Sequence, residues 1–142
     1  MTTSNPLSLI ERVRKAKRVF LAGNGGSAAN AAHICNDLES CGIRAYVMNE
    51  ATKSAWENDY KHEDVFAKWI NLHGEQGDLL IALSGSGKSP NILNAVSAAL
   101  AKGMEVHMEF GASQGFDMQG SEERQIWLGH ELMRGLGARS AV

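Results

Sequence analysis

The sequence predicts an α/β protein, a three-layer, doubly wound parallel sheet of about four strands. Three observations predict it. Residues 19–22 (Val-Phe-Leu-Ala) and 79–83 (Leu-Leu-Ile-Ala-Leu) are continuous apolar runs, the pattern of strands covered on both faces. Each runs straight into a turn rich in glycine and serine, and each turn opens helix-forming sequence. Strand and helix patterns then alternate along the chain, which calls for parallel strands joined by right-handed crossovers.

The elements follow in order. Residues 6–17 read as a short amphipathic helix with Leu9, Ile10 and Val13 as its apolar stripe. Residues 18–22 form the first strand. The helix after the first loop runs to about Ser40, and Gly42 ends it. A second strand covers 43–48. Residues 55–73 read as one helix, with Trp56, Tyr60, Phe66, Trp69, Ile70 and Leu72 as apolar contacts and Gly74 as its stop. Gly77-Asp78 turns the chain into the third strand. A helix over 90–102 starts with proline in its first turn and Ser89 as N-cap. The fourth strand is 105–110 and 111–120 is a loop. The last helix starts at Ser121 and carries Ile126, Trp127, Leu128, Leu132 and Met133 as apolar positions. The tail 137–142 is expected to fray.

Composition narrows the function. A chain of 142 residues suits one domain with a real core. The formal charge of −2 gives no basic field for nucleic acid. No apolar run approaches a membrane span, and Met1-Thr2-Thr3-Ser4 lacks a signal-peptide core. Cys35 and Cys41 sit on or near one helix with their sulfurs pointing apart, so free thiols and a cytoplasmic setting are expected.

The first loop, Gly23-Asn24-Gly25-Gly26-Ser27, is an anion site in outline. Glycines let backbone approach a ligand, the first N–H groups of the helix are unpaired, and Ser27 adds a hydroxyl. His33 and Asp37 follow four residues apart, on one helix face. That spacing suits an acid/base or metal pair, and equally a plain surface pair. The second loop, Ser84-Gly85-Ser86-Gly87-Lys88-Ser89, has two functional readings. Residues 82–89 nearly match a nucleotide-binding P-loop, but Ala82 replaces its first glycine, only 53 residues follow, and no later strand clearly ends in a metal-binding Asp. The other reading takes Ser84, Ser86 and Ser89 as three neutral hydroxyls around a phosphate monoester, with Lys88 adding charge. A merely flexible serine turn is the plain alternative. His62 and His73 read as surface residues of the long middle helix, and His107 as a core or edge residue. Trp56, Trp69 and Trp127 read as packing anchors.

Three stretches carry a family resemblance: residues 21–33, residues 57–60 (Glu-Asn-Asp-Tyr) and residues 77–91. Together they resemble the sugar isomerase (SIS) domain family, in its phosphoheptose isomerase branch, over roughly residues 15–136. The resemblance implies a flavodoxin-like topology and a single SIS domain, 1–142, shortened at both ends. It implies interconversion of sedoheptulose 7-phosphate and D-glycero-D-manno-heptose 7-phosphate through an enediol, in a homotetramer whose sites lie between subunits. It further implies zinc or another divalent metal.

Carried over residue by residue, the resemblance makes Asp37 the base and His130 its acid partner. It makes His33, Asp37, Glu122 and His130 the metal set. Asn24, Gly25, Gly26, Ser27, Asp59, Ser84, Gly85, Ser86 and Ser89 become the substrate-binding residues. This sequence departs from the family pattern in several places. Asp37 and Glu122 stand where Glu and Gln are usual, and Gly85 where Thr is usual. The chain is about fifteen residues short between Phe110 and Glu122, at the family's fifth strand, by comparison with the pattern. Eight residues of helix rise about 12 Å, so Glu122 and His130 cannot grip one ion from one straight helix. Either the helix begins after Glu122, or the two ligands come from different subunits. These departures keep a second function class open, a non-catalytic SIS protein that binds a sugar phosphate or a protein partner such as a replication initiator.

Overall fold

A computed structural model describes residues 6–137. The expected signal-free start, Met1 to Ser4, and the tail beyond Gly137 lie outside the described residues. Four parallel strands, β1 (Val19–Ala22), β2 (Ala45–Val47), β3 (Leu79–Ser84) and β4 (Glu105–Phe110), form one sheet in the order β2-β1-β3-β4. Six helices surround it: α1 (Pro6–Lys15), α2 (Gly26–Ser40), α3 (Glu50–Asp59), α4 (Val65–His73), α5 (Pro90–Ala101) and α6 (Met118–Leu136). The α/β class and the flavodoxin-like order are as the sequence predicts.

Strand alternation builds the three layers. Phe20, Ala22, Leu80 and Ala82 face one way, onto Phe66, Trp69 and Ile70 of α4 and Ile92, Ala95 and Ala99 of α5. Val19, Leu21, Leu79, Ile81 and Leu83 face the other way, onto Leu9 and Val13 of α1, Ile34 and Leu38 of α2, and Leu128 and Leu132 of α6. Every residue of β1 and of β3 is buried, which is why both read as unbroken apolar runs. At the opposite end from the loops, buried Asp78 leads into β3. Its carboxylate accepts from Arg18 at 2.8 Å and from the Glu75 backbone N–H at 2.8 Å.

Three boundaries differ from the sequence reading. The expected helix over 55–73 is two helices. Asn49 caps the first, its Oδ1 accepting from the Ala51 and Thr52 N–H groups at 2.9 and 3.2 Å, so α3 starts five residues earlier than its apolar pattern does. Tyr60 then turns extended (φ −130°, ψ 176°), and a 3-10 turn at His62–Asp64 leads into α4. Tyr60 and Leu72 are consequently exposed and not core contacts. The last helix starts at Met118, because Asp117 accepts from the Gly120 N–H at 2.7 Å. Loop 111–120 shrinks accordingly and contains a 3-10 turn at Gly111–Gln114. Ser89 precedes α5 without a side-chain capping bond, since its hydroxyl is engaged elsewhere. Trp127 is exposed on α6 and stacks on Arg124 at 4.1 Å instead of anchoring the core. Cys35 and Cys41 are both free, and burial pushes the Cys35 thiol up to about 11. No helix among the described residues is long and apolar enough to cross a membrane.

Strand β4 carries a polar seam under α6. His107 and Glu109 share its α6 side and are fully buried, with His107 Nε2 3.1 Å from Glu109 Oε1. Gln114 donates to Glu109 Oε2 at 2.8 Å, and Arg124 Nε lies 3.6 Å from the same oxygen. Burial by itself would raise the Glu109 pKa. The hydrogen bonds from His107 and Gln114 and the charges of His107 and Arg124 outweigh it and hold the carboxyl below the usual glutamate range. A carboxyl whose pKa falls on folding stabilises the fold fully above its ordinary value, and that stability is lost as pH falls through the folded value. Urea unfolding of Glu109→Gln and the native chain should therefore differ most near neutral pH, and the gap should shrink below about pH 4.5. A gap that widens on acidification would refute this sign.

Candidate functional site

Strands β1 and β3 pair directly, Val19 with Leu79 through Ala22 with Ala82, while their following helices leave on opposite faces of the sheet. Their carboxyl ends are thus the switch point at which ligands of doubly wound sheets bind, and both Gly/Ser loops open there. Asn24 and Asn91 clasp the loops together. Asn24 Nδ2 donates to Asn91 Oδ1, and Asn91 Nδ2 donates to Asn24 Oδ1, both at 2.8 Å.

The second loop is ordered by its own hydroxyls. Ser84 Oγ accepts from the Gly87 N–H at 3.0 Å and lies 3.1 Å from Ser89 Oγ. Ser86 Oγ accepts from the Lys88 N–H at 3.0 Å. Gly87 turns at φ 70°, a value that favours glycine. Ser84 is buried, whereas Ser86 and Lys88 are exposed. A side chain at Gly85 would meet Met118 Sδ at 2.7 Å, so α6 occupies the space that the family's threonine needs.

The first loop is less open than its sequence suggests. Gly25 (φ 54°) and Gly26 are exposed, but the Ser27 hydroxyl is buried and accepts from Gln125 Nε2 at 3.0 Å. Gln125 Oε1 accepts in turn from Asn30. The Glu122 carboxylate lies over Gly26, where a Cβ would come within 2.0 Å of Oε2. The positive end of α2 favours a carboxylate there.

About two to three turns along α2, His33 and Asp37 meet His130 of α6. His33 Nε2 is 3.2 Å from Asp37 Oδ2, and the His33 and His130 rings lie 5.6 Å apart, inclined at 71°. Nitrogen or oxygen atoms of His33, Asp37 and His130 all fall within 4.8 Å of one another. Two imidazoles and a carboxylate at that separation are a donor set suited to a divalent transition metal. The Asp37 side chain is 1% exposed and His33 49%, so the ring covers the carboxylate. Glu122 does not join this group. It lies inside α6, two turns before His130, so the option of a helix starting after Glu122 does not hold. Asp59 ends α3 on the surface and lines an open cleft with Tyr60, Lys61, Asp64 and Lys68.

Two residues near the loops had no functional reading in the sequence, although His62 is exposed as expected. His62 is not on a helix, and its Nε2 is 3.3 Å from Asn91 Nδ2. Glu57 Oε2 lies 2.6 Å from His62 Nδ1 and 3.1 Å from Lys53 Nζ. The Lys53 hydrogen bond and charge, with the hydrogen bond from His62, hold the Glu57 carboxyl below its usual range against partial desolvation. Only the helix break at Tyr60 reveals this group, and the local apolar pattern conceals it. His73 is exposed and His107 is core, as expected.

The geometry has counterparts in known proteins. The model of the SIS domain family matches residues 7–107. A phosphoheptose isomerase of Rhodospirillum rubrum is 39% identical over 111 residues, covering 72% of this chain and 59% of its own. One from Burkholderia pseudomallei is 40% identical over 118 residues, covering 78% and 59%. The structure of a phosphoheptose isomerase from Neisseria gonorrhoeae superposes with TM-score 0.82 at 25% identity, over 92% of this chain and 84% of that one. The chain spans about three-fifths of the length of the curated relatives it matches. With the family model covering most of its length, and with these relatives beside it, the chain belongs to the SIS domain family in its phosphoheptose isomerase branch.

Proposed function

We propose that this chain is an aldose–ketose isomerase of a phosphorylated sugar, interconverting sedoheptulose 7-phosphate and D-glycero-D-manno-heptose 7-phosphate. The observation that carries the reading is the meeting of His33, Asp37 and His130 on two helices, in a chain whose relatives are named phosphoheptose isomerases.

The reaction moves a proton from the carbon beside the carbonyl and shifts another between two oxygens of an enediol. The serine loop holds the phosphate, with Ser84, Ser86 and Ser89 hydroxyls and the α5 N-terminus as neutral donors. Asp37 and His33 act as a pair. The buried carboxylate, its Oδ2 3.2 Å from His33 Nε2, faces that edge of the ring and leaves Nδ1 as the outward base, a more direct route than the covered carboxylate offers. His130, half-buried beside it, carries the proton between the oxygens. A divalent ion such as zinc would be held by His33, Asp37 and His130, and would supply polarisation of the sugar oxygens. The His33 nitrogen that faces Asp37 either donates to it or ligates metal, since one ring nitrogen cannot do both at once. Ile126 and Trp127 flank His130 on an exposed, largely apolar face of α6, which supports a homotetramer with sites completed between chains.

Incubation with sedoheptulose 7-phosphate should yield the aldose, from a species that sediments as four chains. Absence of aldose with intact folding would refute the isomerase reading, and a monomer at micromolar concentration would refute the intersubunit site.

Replacing Ser84, Ser86 and Ser89 together with Ala should abolish most sugar-phosphate affinity in calorimetry while the far-UV spectrum stays native. Each neutral hydrogen bond contributes about 0.5–1.5 kcal/mol, so three should weaken binding by roughly one to three orders of magnitude. Unchanged affinity would remove this loop from the site.

Zinc at about a hundredfold over its Kd should raise the Tm by roughly 5–10 °C, and neither His33→Ala nor His130→Ala should show that rise. Equal shifts in all three proteins would place the ion elsewhere.

A further inference from the structure

We propose that His62, held by Glu57, is a positioning residue that sets which end of the Asn24 amide faces a ligand at the switch point. The ligand's identity rests on the function proposed above, and the hydrogen-bond argument does not.

The argument is one of symmetry. Asn24 and Asn91 exchange two hydrogen bonds of equal length, 2.8 Å each. Such a reciprocal amide pair is satisfied equally well if both side chains rotate by half a turn together, exchanging N–H for C=O at every position. The pair alone therefore does not define what Asn24 presents to the space between the loops. Asn91 is 2% exposed, so solvent does not select either.

His62 breaks the tie. Glu57 Oε2 already receives Lys53 Nζ at 3.1 Å, so it is a carboxylate that accepts. The contact of 2.6 Å from His62 Nδ1 to that oxygen requires the ring hydrogen on Nδ1. In the tautomer that carries its hydrogen on Nδ1, Nε2 is a lone pair, and it faces Asn91 Nδ2 at 3.3 Å. A lone pair accepts an N–H and repels a carbonyl oxygen. Asn91 must turn Nδ2 toward His62, which leaves its second N–H for Asn24 Oδ1 and its oxygen for Asn24 Nδ2. One orientation of the first loop's amide is thereby fixed from α3, through the 3-10 turn and α5.

His62 is well exposed (side chain 60%), so its replacement should spare the fold. The test compares His62→Leu with His62→Gln, whose amide can donate to Glu57 and accept from Asn91. The first readout is the side-chain amide NMR signals of Asn24 and Asn91. In His62→Leu these should shift or double as the second orientation becomes populated, and in His62→Gln they should return toward the native positions. The second readout is turnover of sedoheptulose 7-phosphate, where His62→Leu should raise KM about three- to tenfold, the scale of one hydrogen bond, with a smaller change in kcat and with rescue by Gln. Amide signals in His62→Leu that superimpose on the native ones, or Gln and Leu variants that behave alike, would overturn the inference. A native chain inert toward the sugar would defeat the proposed function, while the amide signals would still decide the role of His62.

Discussion

The pairing of β1 with β3 is the constraint on which the rest depends. Two buried strands lie side by side in register at the centre of the sheet, and their helices depart to opposite faces. The loops that follow must then open at one place. Everything polar at the switch point is a consequence: the serine hydroxyls order one loop, the amide of Asn24 reaches from the other, and Asn91 receives it from the first turn of α5. The apolar layers supply the driving force, at about 25 cal/mol per Å² of area removed from water. The position of the strands supplies the chemistry.

Helix α6 is the second determinant, because it alone brings His130 to His33. It docks closely against α2. A Cβ at Gly129 would come within 2.6 Å of Ile34 Cγ1, so only glycine admits this approach without displacement. Ser27, Asn30 and Gln125 then tie the two helices by side-chain hydrogen bonds. Below α6, the polar side chains of His107, Glu109 and Arg124 fill the side of β4 on which β1 and β3 carry Leu and Ile. Breaking one member of such a group leaves the others unbalanced, so this seam is one sensitive to acid.

The central strands and both loops were legible in the sequence, because each rests on a local signal: an unbroken apolar run, a glycine turn, a helix start; the flavodoxin-like order came from the family resemblance. The break between α3 and α4 was not legible. Trp56, Phe66, Trp69 and Ile70 fit a single helical stripe, and the extended Tyr60 interrupts it without a proline or glycine. For the site, the spacing of His33 and Asp37 on one helix showed that they could act together. The addition of His130 came from family likeness and is realised only by packing. The roles of His62 and Glu57 were hidden for the same reason as the helix break that creates them. Ser27 looked like a ligand-facing hydroxyl, and its engagement by Gln125, 98 residues away, is a tertiary fact.

The residues at which this chain departs from the family pattern lie on or against α2 and α6. Gly85 gives up a side chain where Met118 presses on the loop. Glu122 places a carboxylate over Gly26, at the positive end of α2, where a neutral side chain would gain less. Asp37 is one methylene shorter than glutamate and stays beneath His33, so the ring is the part of the pair that faces solvent. On the function proposed above, the reacting groups would then be imidazoles more than carboxylates: Glu122 lies at the helix end, Asp37 lies under His33, and the two rings 5.6 Å apart are more exposed than that buried carboxylate.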